Sequence, residues 1–305
     1  MNTTFKLEHI HCDLCGNDKY VERYRKPDNW LFLNQFQYPV VECTACGLVY
    51  VNPRPAAEEM GRYYPSGYHD GRNDEKHLER YAVQYLYIKP YQFNSVLDVG
   101  CARGDWLAYI NRISPGLELH GVDAFSNLVN HDFVTFQKAL LCEANLKNNF
   151  FDLVTAWAVL EHVHSPSAYF EAVSRHLKDG GKFIFLVTNS ESLYGKRAYC
   201  EDIPRHLYHF SEKTIEQYAK KFSMKIIAKN YDTHFWDARG IGTFYYLLGN
   251  ILGVNWNLIS LNRVNIIQKL AMRIGSFIDS LVFYFQWEAR LKKSGIIVFV
   301  LEKAE

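Results

Sequence analysis

The sequence predicts an α/β fold in which strands alternate with helices, and three consecutive features carry that prediction. Ser95–Val99 is a short, mostly apolar run of strand type, and a turn of small residues follows at Gly100–Gly104. Apolar residues then recur at helical spacing, which predicts a helix from Asp105 onward. This order forms the βα entry of a nucleotide-binding sheet, because glycines let the backbone approach a ligand and the helix start offers unpaired N–H groups.

Length and composition bound the class of protein. The 305 residues suffice for one large domain or two small ones, 48% of them are hydrophobic, and the formal net charge is +1. This nearly neutral charge gives no indication of nucleic-acid binding or of bulk membrane binding. The first residues lack an apolar signal segment, and no apolar run is long enough to span a bilayer. We therefore expect a cytoplasmic protein with reduced cysteines.

Two cysteine pairs near the start of the sequence indicate a metal site. Cys12 and Cys15 form one CxxC pair, Cys43 and Cys46 form the second, and a glycine follows each pair. Two such turns supply the four soft ligands of a tetrahedral zinc ion. We predict a structural zinc ribbon with a hairpin insert between the pairs. Four unrelated buried thiols, or a nearby histidine in place of one cysteine, are the alternatives.

The same region does not carry the basic face that phosphate binding needs. Residues 1–60 contain six Lys or Arg and eight Asp or Glu, and a four-thiolate zinc site adds negative charge. The prolines of the segment GLVYVNPRP mark a boundary near residue 55. The sequence thus predicts a structural or substrate-facing ribbon over residues 1–55 and a second domain over residues 56–305.

Three later segments extend the predicted sheet. Leu117–Asp123 is a second strand that ends in an acid, 19 residues beyond Gly104. An acid about 20 residues after the glycine turn binds a ribose diol in such folds. Phe150–Val163 predicts a further strand with its following turn, and Leu177–Asn189 predicts another strand after a glycine.

In order and spacing these segments resemble the class I S-adenosylmethionine (SAM)-dependent methyltransferases, with VLDVGCARGDW at residues 96–106 as motif I. The resemblance covers residues 96–189 and implies a Rossmann-like, seven-stranded mixed sheet that binds SAM. It implies eight SAM-binding positions: Asp98, Gly100, Cys101, Gly104, Asp123, Ala124, Leu141 and Glu161. The segment FVTF at residues 133–136 is predicted as the third strand, and the family usually has an acid for the adenine amino group after that strand. This sequence has Leu141 there, so backbone groups would make that contact.

The flanks resemble a bacterial subgroup in which a zinc ribbon precedes the methyltransferase domain. The CxxCG pairs, NPRP and YYPSGY carry this resemblance, and relatives include nucleotide-sugar C-methyltransferases and enzymes of surface-polysaccharide clusters. It implies a small polar acceptor, a sugar or sugar nucleotide. Two alternatives stay open. One is a ribosomal RNA methyltransferase with a zinc module, against which the acidic ribbon argues, and the other is a non-catalytic SAM-binding scaffold.

Histidines after the fourth and fifth strands are the candidate catalytic bases. His162 follows Glu161 at the end of the fourth strand. The segment PRHLYHFS resembles an acceptor-side motif of the subgroup and contains His206 and His209. Methyl transfer to a hydroxyl or carbon requires removal of a proton, and histidine titrates near neutral pH. We predict His206 or His209 as the base, with His206 in a loop. A structural role for His209 is one alternative, and Tyr208, Glu161 or His162 as the base is the other.

A helical insert is predicted before the last strand. Met224–Asp232 and Gly295–Ala304 are predicted as the sixth and seventh strands, and the resemblance implies that they pair as a final antiparallel hairpin. Residues 233–293 between them are too many for a bare loop. An apolar stripe at helical spacing runs through the insert beside basic residues; its members are Ile267, Leu270, Ile274, Phe277, Leu281 and Phe285. We interpret it as a lid or a homodimer face packed on the domain. Contact with a membrane surface is the second interpretation.

Overall fold

The computed structural model describes residues 5–28, 34–64, 74–125, 131–192, 202–231, 242–254 and 264–304. The chain divides into two compact units. The cysteine unit comprises Met1–Gly71, Thr188–Thr214 and Tyr231–Ile297, and the sheet unit comprises Arg72–Val187, Ile215–Asn230 and Val298–Glu305.

The described chain contains thirteen strands, seven α-helices and two 3₁₀ helices, at Ala57–Tyr63 and Leu141–Glu143. The strands are β1 (Leu7–Glu8), β2 (Tyr20–Lys26), β3 (Tyr38–Cys43), β4 (Val49–Val51), β5 (Arg54–Pro55), β6 (Ser95–Val99), β7 (Glu118–Val122), β8 (Val134–Gln137), β9 (Phe151–Trp157), β10 (Leu177–Thr188), β11 (Tyr208–His209), β12 (Met224–Asn230) and β13 (Ile296–Lys303). The helices are α1 (Asp74–Ile88), α2 (Asp105–Ile113), α3 (Pro166–His176), α4 (Glu212–Lys221), α5 (Thr243–Ile251), α6 (Ile266–Tyr284) and α7 (Trp287–Arg290).

The sheet unit is built on a seven-stranded mixed sheet in the order β12-β13-β10-β9-β6-β7-β8. The pairs from β10 to β8 are parallel, and β12 pairs antiparallel with β13. The predicted fold class is therefore confirmed, including the final antiparallel hairpin. Strand β6 is buried at all five residues, because it lies between two parallel neighbours and is apolar apart from Ser95 and Asp98.

Helix α3 shows how local sequence and packing agree in this unit. Ser165 Oγ accepts a hydrogen bond from the Ala168 N–H at 3.3 Å, and Pro166 occupies the first turn, where no N–H is needed. Phe170 of the same helix stacks on Tyr218 of α4, with ring centroids 5.0 Å apart. The Phe170 ring also makes a T-shaped contact with Phe185 of β10, so aromatic packing fixes both helices on the sheet.

The cysteine unit contains a four-stranded antiparallel sheet in the order β11-β4-β3-β2 and a small β1–β5 pair. Strands β2 and β3 form the hairpin predicted between the two cysteine pairs; Trp30 and Phe32 of that segment lie outside the described residues. The hydroxyls of Tyr38 and Tyr63 hydrogen-bond at 2.8 Å in the core of this unit. Strand β11 is a departure from the sequence analysis, which predicted only a loop around His206.

Helices α5, α6 and α7 form the predicted insert, but the predicted stripe is exposed rather than packed. Helix α6 packs instead through a narrower face that includes Gly275 and Asp279. The glycine explains this choice, because a Cβ at Gly275 would lie 2.6 Å from the Phe244 carbonyl oxygen of α5. Among the described residues, no helix is both long and apolar enough to cross a membrane.

Candidate active site and metal centre

The carboxyl ends of β6, β7 and β9 lie side by side at one edge of the sheet, termed the donor edge. Val99 of β6 pairs in parallel register with Val122 of β7 and with Ala156 of β9. Gly100, which follows β6, and Asp123, which follows β7, are therefore neighbours. Ligands of open α/β sheets bind beyond this edge of the strands.

The glycine turn after β6 requires glycine for two reasons. Gly100 and Gly104 have φ values of +69° and +82°, in the left-handed region that L side chains rarely adopt. Space is also limited, because a Cβ on Gly100 would lie 2.5 Å from Val159 Cγ2 and one on Gly104 would overlap the Phe136 ring. The Gly100 N–H donates to the Val122 carbonyl oxygen at 2.8 Å, which ties the turn to β7.

Asp123, which follows β7, holds the turn through backbone hydrogen bonds. Its Oδ2 accepts from the Ala102 N–H and its Oδ1 from the Phe125 N–H, each at 2.9 Å. A carboxylate offers about four lone-pair sites, so these two bonds are compatible with further acceptance from a ribose diol. Asp123 and Ala124 are half-buried, which fits a residue pair at the rim of a ligand site.

Asp98, inside β6, has a different environment. It is buried and its Oδ1 accepts a hydrogen bond from Thr155 Oγ1 of β9 at 2.7 Å. Burial raises the pKa of Asp98 to about 7, and the nearby charge of Asp123 adds to the rise, although the Thr155 hydroxyl opposes it. At neutral pH this carboxyl is therefore close to half protonated. The sequence did not identify Thr155 as the partner of Asp98, because the two residues are 57 positions apart.

The other residues that the sequence analysis predicted to bind SAM also follow strands of this sheet. Cys101 is buried in the glycine turn, and burial raises the pKa of its thiol. Leu141 is buried in a short 3₁₀ helix after β8. After β9 the chain turns at Ala158, which has an unusual positive φ of +58°, toward buried Glu161 and half-buried His162. Such backbone outliers concentrate at functional turns.

The four cysteines predicted as metal ligands come together in the cysteine unit. Their sulfur atoms all lie within 4.8 Å of one another, with Cys12 Sγ 3.4 Å from Cys46 Sγ and Cys15 Sγ 3.6 Å from Cys43 Sγ. Tetrahedral zinc with Zn–S bonds of about 2.3 Å places its ligand sulfurs about 3.8 Å apart. The cluster therefore fits a tetrahedral ion bound by four thiolates.

The two cysteine turns share one backbone design. The Gly16 N–H donates to the Cys12 carbonyl oxygen at 2.7 Å, and the Gly47 N–H donates to the Cys43 carbonyl oxygen at 3.0 Å. Both glycines have positive φ, which allows each chain to fold back around its sulfurs. The Asn17 side-chain amide lies 3.5 Å from Cys43 Sγ and donates a hydrogen bond toward the cysteine cluster.

His206 lies in a turn that a buried cation fixes. The side chain of Arg205 is fully buried between two carboxylates: its Nη2 lies 2.9 Å from Asp28 Oδ1 and 2.5 Å from Asp202 Oδ1. Burial lowers the pKa of Arg205, but the hydrogen bonds and charges of these acids outweigh it and raise the pKa above its usual value. The His206 N–H donates to the Asp202 carbonyl oxygen at 2.7 Å. Half-buried His206 is thus held by the network.

His209, the second candidate base, is buried in β11 and pairs with Val49 of β4. Tyr208, next to it, accepts a hydrogen bond from Arg54 Nη1 at 2.9 Å, and burial raises the pKa of its hydroxyl. The PRHLYHFS segment therefore presents His206 in a partly exposed turn and His209 inside a sheet. The sequence did not identify Asp28 or Arg54 as partners, because both contacts link residues more than 150 positions apart.

Comparison with known proteins shows the family to which the sheet unit belongs. The family described as "Methyltransferase domain" matches residues 72–229, slightly more than half of the chain. The chain belongs to this methyltransferase family. The match spans strands β6 to β12 and thus the whole donor edge.

Curated relatives share this domain. The chain is 30% identical over 151 residues to a demethylmenaquinone methyltransferase of Anoxybacillus flavithermus and 25% identical over 173 residues to one of Bacillus cytotoxicus. These alignments cover 46% and 53% of the chain. They cover 59% and 67% of the relatives, so the chain spans about three fifths to two thirds of their length.

Among solved structures, the chain is similar to one chain of the complex between the Haloferax volcanii Trm112 methyltransferase activator and a methyltransferase. The TM-score is 0.55 at 15% sequence identity, over 81% of this chain and 98% of that chain. At this identity the likeness shows the fold, and it agrees with the Rossmann-like methyltransferase architecture of the sheet unit.

Proposed function

We propose that the chain is a SAM-dependent methyltransferase that acts on a small polar acceptor, a sugar or sugar nucleotide. The observation that carries this proposal is the Gly100–Gly104 turn beside Asp123 at the donor edge. Membership in the methyltransferase family supports methyl transfer. The relatives' names, as demethylmenaquinone methyltransferases, support a small-molecule acceptor over a macromolecule. The acidic cysteine region agrees, since RNA binding needs a basic face.

Different residues at the donor edge would bind different parts of the SAM molecule. Asp123 would accept hydrogen bonds from the ribose hydroxyls, the glycine turn would admit the methionine portion, and backbone groups near Leu141 would meet the adenine. SAM supplies a methyl group on a positively charged sulfonium sulfur. This charge makes the methyl carbon electrophilic, and the sulfur leaves as a neutral thioether when the methyl group is transferred. The protein holds the acceptor in line with that carbon and removes a proton, so positioning accounts for most of the catalysis.

His206 is the proposed base. Histidine titrates near neutral pH, and the turn that carries His206 is partly exposed and fixed by Arg205, which suits a group that must meet an acceptor and exchange a proton. His209 is second, because its place in a buried strand suits a structural role better. His162, which follows the donor-edge residue Glu161, is the third candidate.

The four cysteines would hold a structural zinc ion, since four protein thiolates leave no open coordination position. Strand β4, which follows the second cysteine turn, pairs with β11, so the metal module and the His206 segment share one sheet. Zinc would therefore brace the acceptor-side segment. In this proposal residues 1–55 are a zinc ribbon and residues 56–305 are the methyltransferase domain with its insert at 233–293.

The experiment is a methyl-transfer assay with radiolabelled SAM and three acceptor classes: sugar nucleotides, a demethylated quinone and a ribosomal RNA transcript. We expect label on a sugar nucleotide, and none with Gly104→Val, because that side chain would overlap Phe136. Label on the quinone alone would reject the sugar acceptor but keep the enzyme class. Label on RNA alone would favour the ribosomal alternative. Tight SAM binding without transfer to any acceptor would favour a scaffold.

A further inference from the structure

Helix α6 has two faces of opposite character. One face, which includes Met272, Gly275, Asp279 and Val282, is buried. Gly275 allows the α5 backbone to come close, as the 2.6 Å distance from an added Cβ to the Phe244 carbonyl oxygen shows. This side of α6 is therefore committed to packing within the insert.

The opposite face, termed the apolar face, is exposed. Ile266 is 83% exposed, Phe277 65% and Tyr284 78%. Its other members are also exposed and follow at helical spacing or lie just beyond the helix end: Ile267, Leu270, Ile274, Leu281, Phe285, Trp287 and Leu291. A continuous strip of large apolar and aromatic side chains along a 19-residue helix exceeds the scattered exposure that is normal on a soluble protein. It indicates a binding surface.

The charges around this strip have one sign. The two acids among residues 242–254 and 264–293 both bond inward: Asp279 accepts the N–H groups of Phe244 and Tyr245 at 2.8 Å, and Glu288 accepts the Thr243 hydroxyl at 2.8 Å. The bases are exposed, and within the described chain they have no ion pair; they are Lys269, Arg273, Arg290, Lys292 and Lys293. Within the described part of the insert, the apolar face is thus bordered by cations that form no ion pair with an acid.

The uniformly positive charge around the apolar face distinguishes between two possible binding partners, a second copy of this chain and an anionic lipid surface. A second copy of this chain would bring a second set of the same cations against the first across a two-fold axis, where like charges repel. An anionic lipid surface would instead attract each cation and accept the apolar side chains between its headgroups. Aromatic residues at one end of the strip, Tyr284, Phe285 and Trp287, favour the same bilayer boundary.

We propose that the apolar face of α6, with the basic end at residues 290–293, is a peripheral membrane-binding surface for anionic lipid. The helix would lie in the plane of the headgroups, because it is too polar overall to span the bilayer. This goes beyond the proposed function and holds for any acceptor.

The test is sedimentation of the full chain with phosphatidylcholine vesicles that do or do not contain about one third phosphatidylglycerol. We expect salt-sensitive binding to the anionic vesicles only. Lys292→Glu with Lys293→Glu should weaken binding on the order of 30-fold or more, since each cation near the surface contributes about one factor of five. Ile266→Ser with Phe277→Ser should also abolish most binding. All four side chains are exposed, so folding should survive.

Two control variants make the same kinds of substitution at exposed positions outside the apolar face. Lys220→Glu with Lys225→Glu alters the net charge equally, and Val21→Ser with Leu86→Ser removes exposed apolar groups from other elements. Both controls should bind like the wild type. Equal weakening by the controls would overturn the proposal, as would the absence of any vesicle binding. Concentration-dependent dimerisation that Ile266→Ser with Phe277→Ser removes, without vesicle binding, would assign the face to a second copy instead.

Discussion

Arg205→Met removes the guanidinium from a fully buried position between Asp28 and Asp202. The Asp28 side chain is also fully buried, so the variant leaves a carboxylate without its counter-charge. Breaking a buried ion pair in this way lowers the free energy of unfolding by about 3–5 kcal/mol, since the remaining charge keeps its desolvation penalty. We expect a loss of this size, confined to the cysteine unit.

Hydrogen exchange at the amides of β4 and β11 measures this loss locally, which matters because two units need not unfold together. The matched variant Asp28→Asn, Asp202→Asn, Arg205→Met carries no buried charge and should recover most of the protection. Turnover in Arg205→Met should fall through the displaced His206 turn, while SAM affinity stays at the wild-type value. Unchanged exchange protection in Arg205→Met would refute the reasoning.

Three further predictions concern single groups. In the folded state the pKa of Asp98 is about 7, above its ordinary value of 3.8, so the contribution of Asp98 to stability is full below about pH 4 and is lost as the pH rises to about 7. In urea unfolding at pH 8, the free energy of unfolding of Asp98→Asn should therefore exceed that of the wild type by up to about 4 kcal/mol. An equal gain at pH 4 would contradict this. Elemental analysis should find one zinc per chain, and Cys43→Ser should lose it, whereas retained zinc would point to another ligand set. With the true acceptor, His206→Ala should lower turnover by roughly a hundredfold and keep SAM affinity, while wild-type rates in both His206→Ala and His209→Ala would move the base to His162.

Local pattern was enough to predict much of the fold. Apolar runs and glycine turns located the seven sheet strands, because these signals depend on residues close in sequence. Strand β11 was missed for the opposite reason. Its two residues are a strand only because β4, far earlier in the chain, offers a free edge.

The candidate site shows the same difference between features that depend on local sequence and features that depend on long-range contacts. The cysteine spacing predicted four sulfurs that do come within 4.8 Å, since each pair is local and only the meeting of pairs is long-range. The pairing of Arg205 with Asp28 carries no sequence signal, because charged residues at arbitrary separation are usually solvated. The apolar stripe of α6 was visible in the sequence, but periodicity alone does not tell a packed face from an exposed one. Gly275 decided it by admitting α5 on the other side.

The most direct test of the central claim is the calorimetric affinity of the full chain for SAM, compared between wild type and Asp123→Ala. Loss of a charge-assisted hydrogen-bonding partner of the ribose corresponds to about 1.5–3 kcal/mol, or roughly ten- to hundredfold in affinity. Glu118→Ala, at the other end of β7, is the control and should bind SAM like the wild type. We predict measurable SAM binding that weakens by that factor in Asp123→Ala. Undetectable binding in the wild type, or equal affinity in Asp123→Ala, would contradict the account.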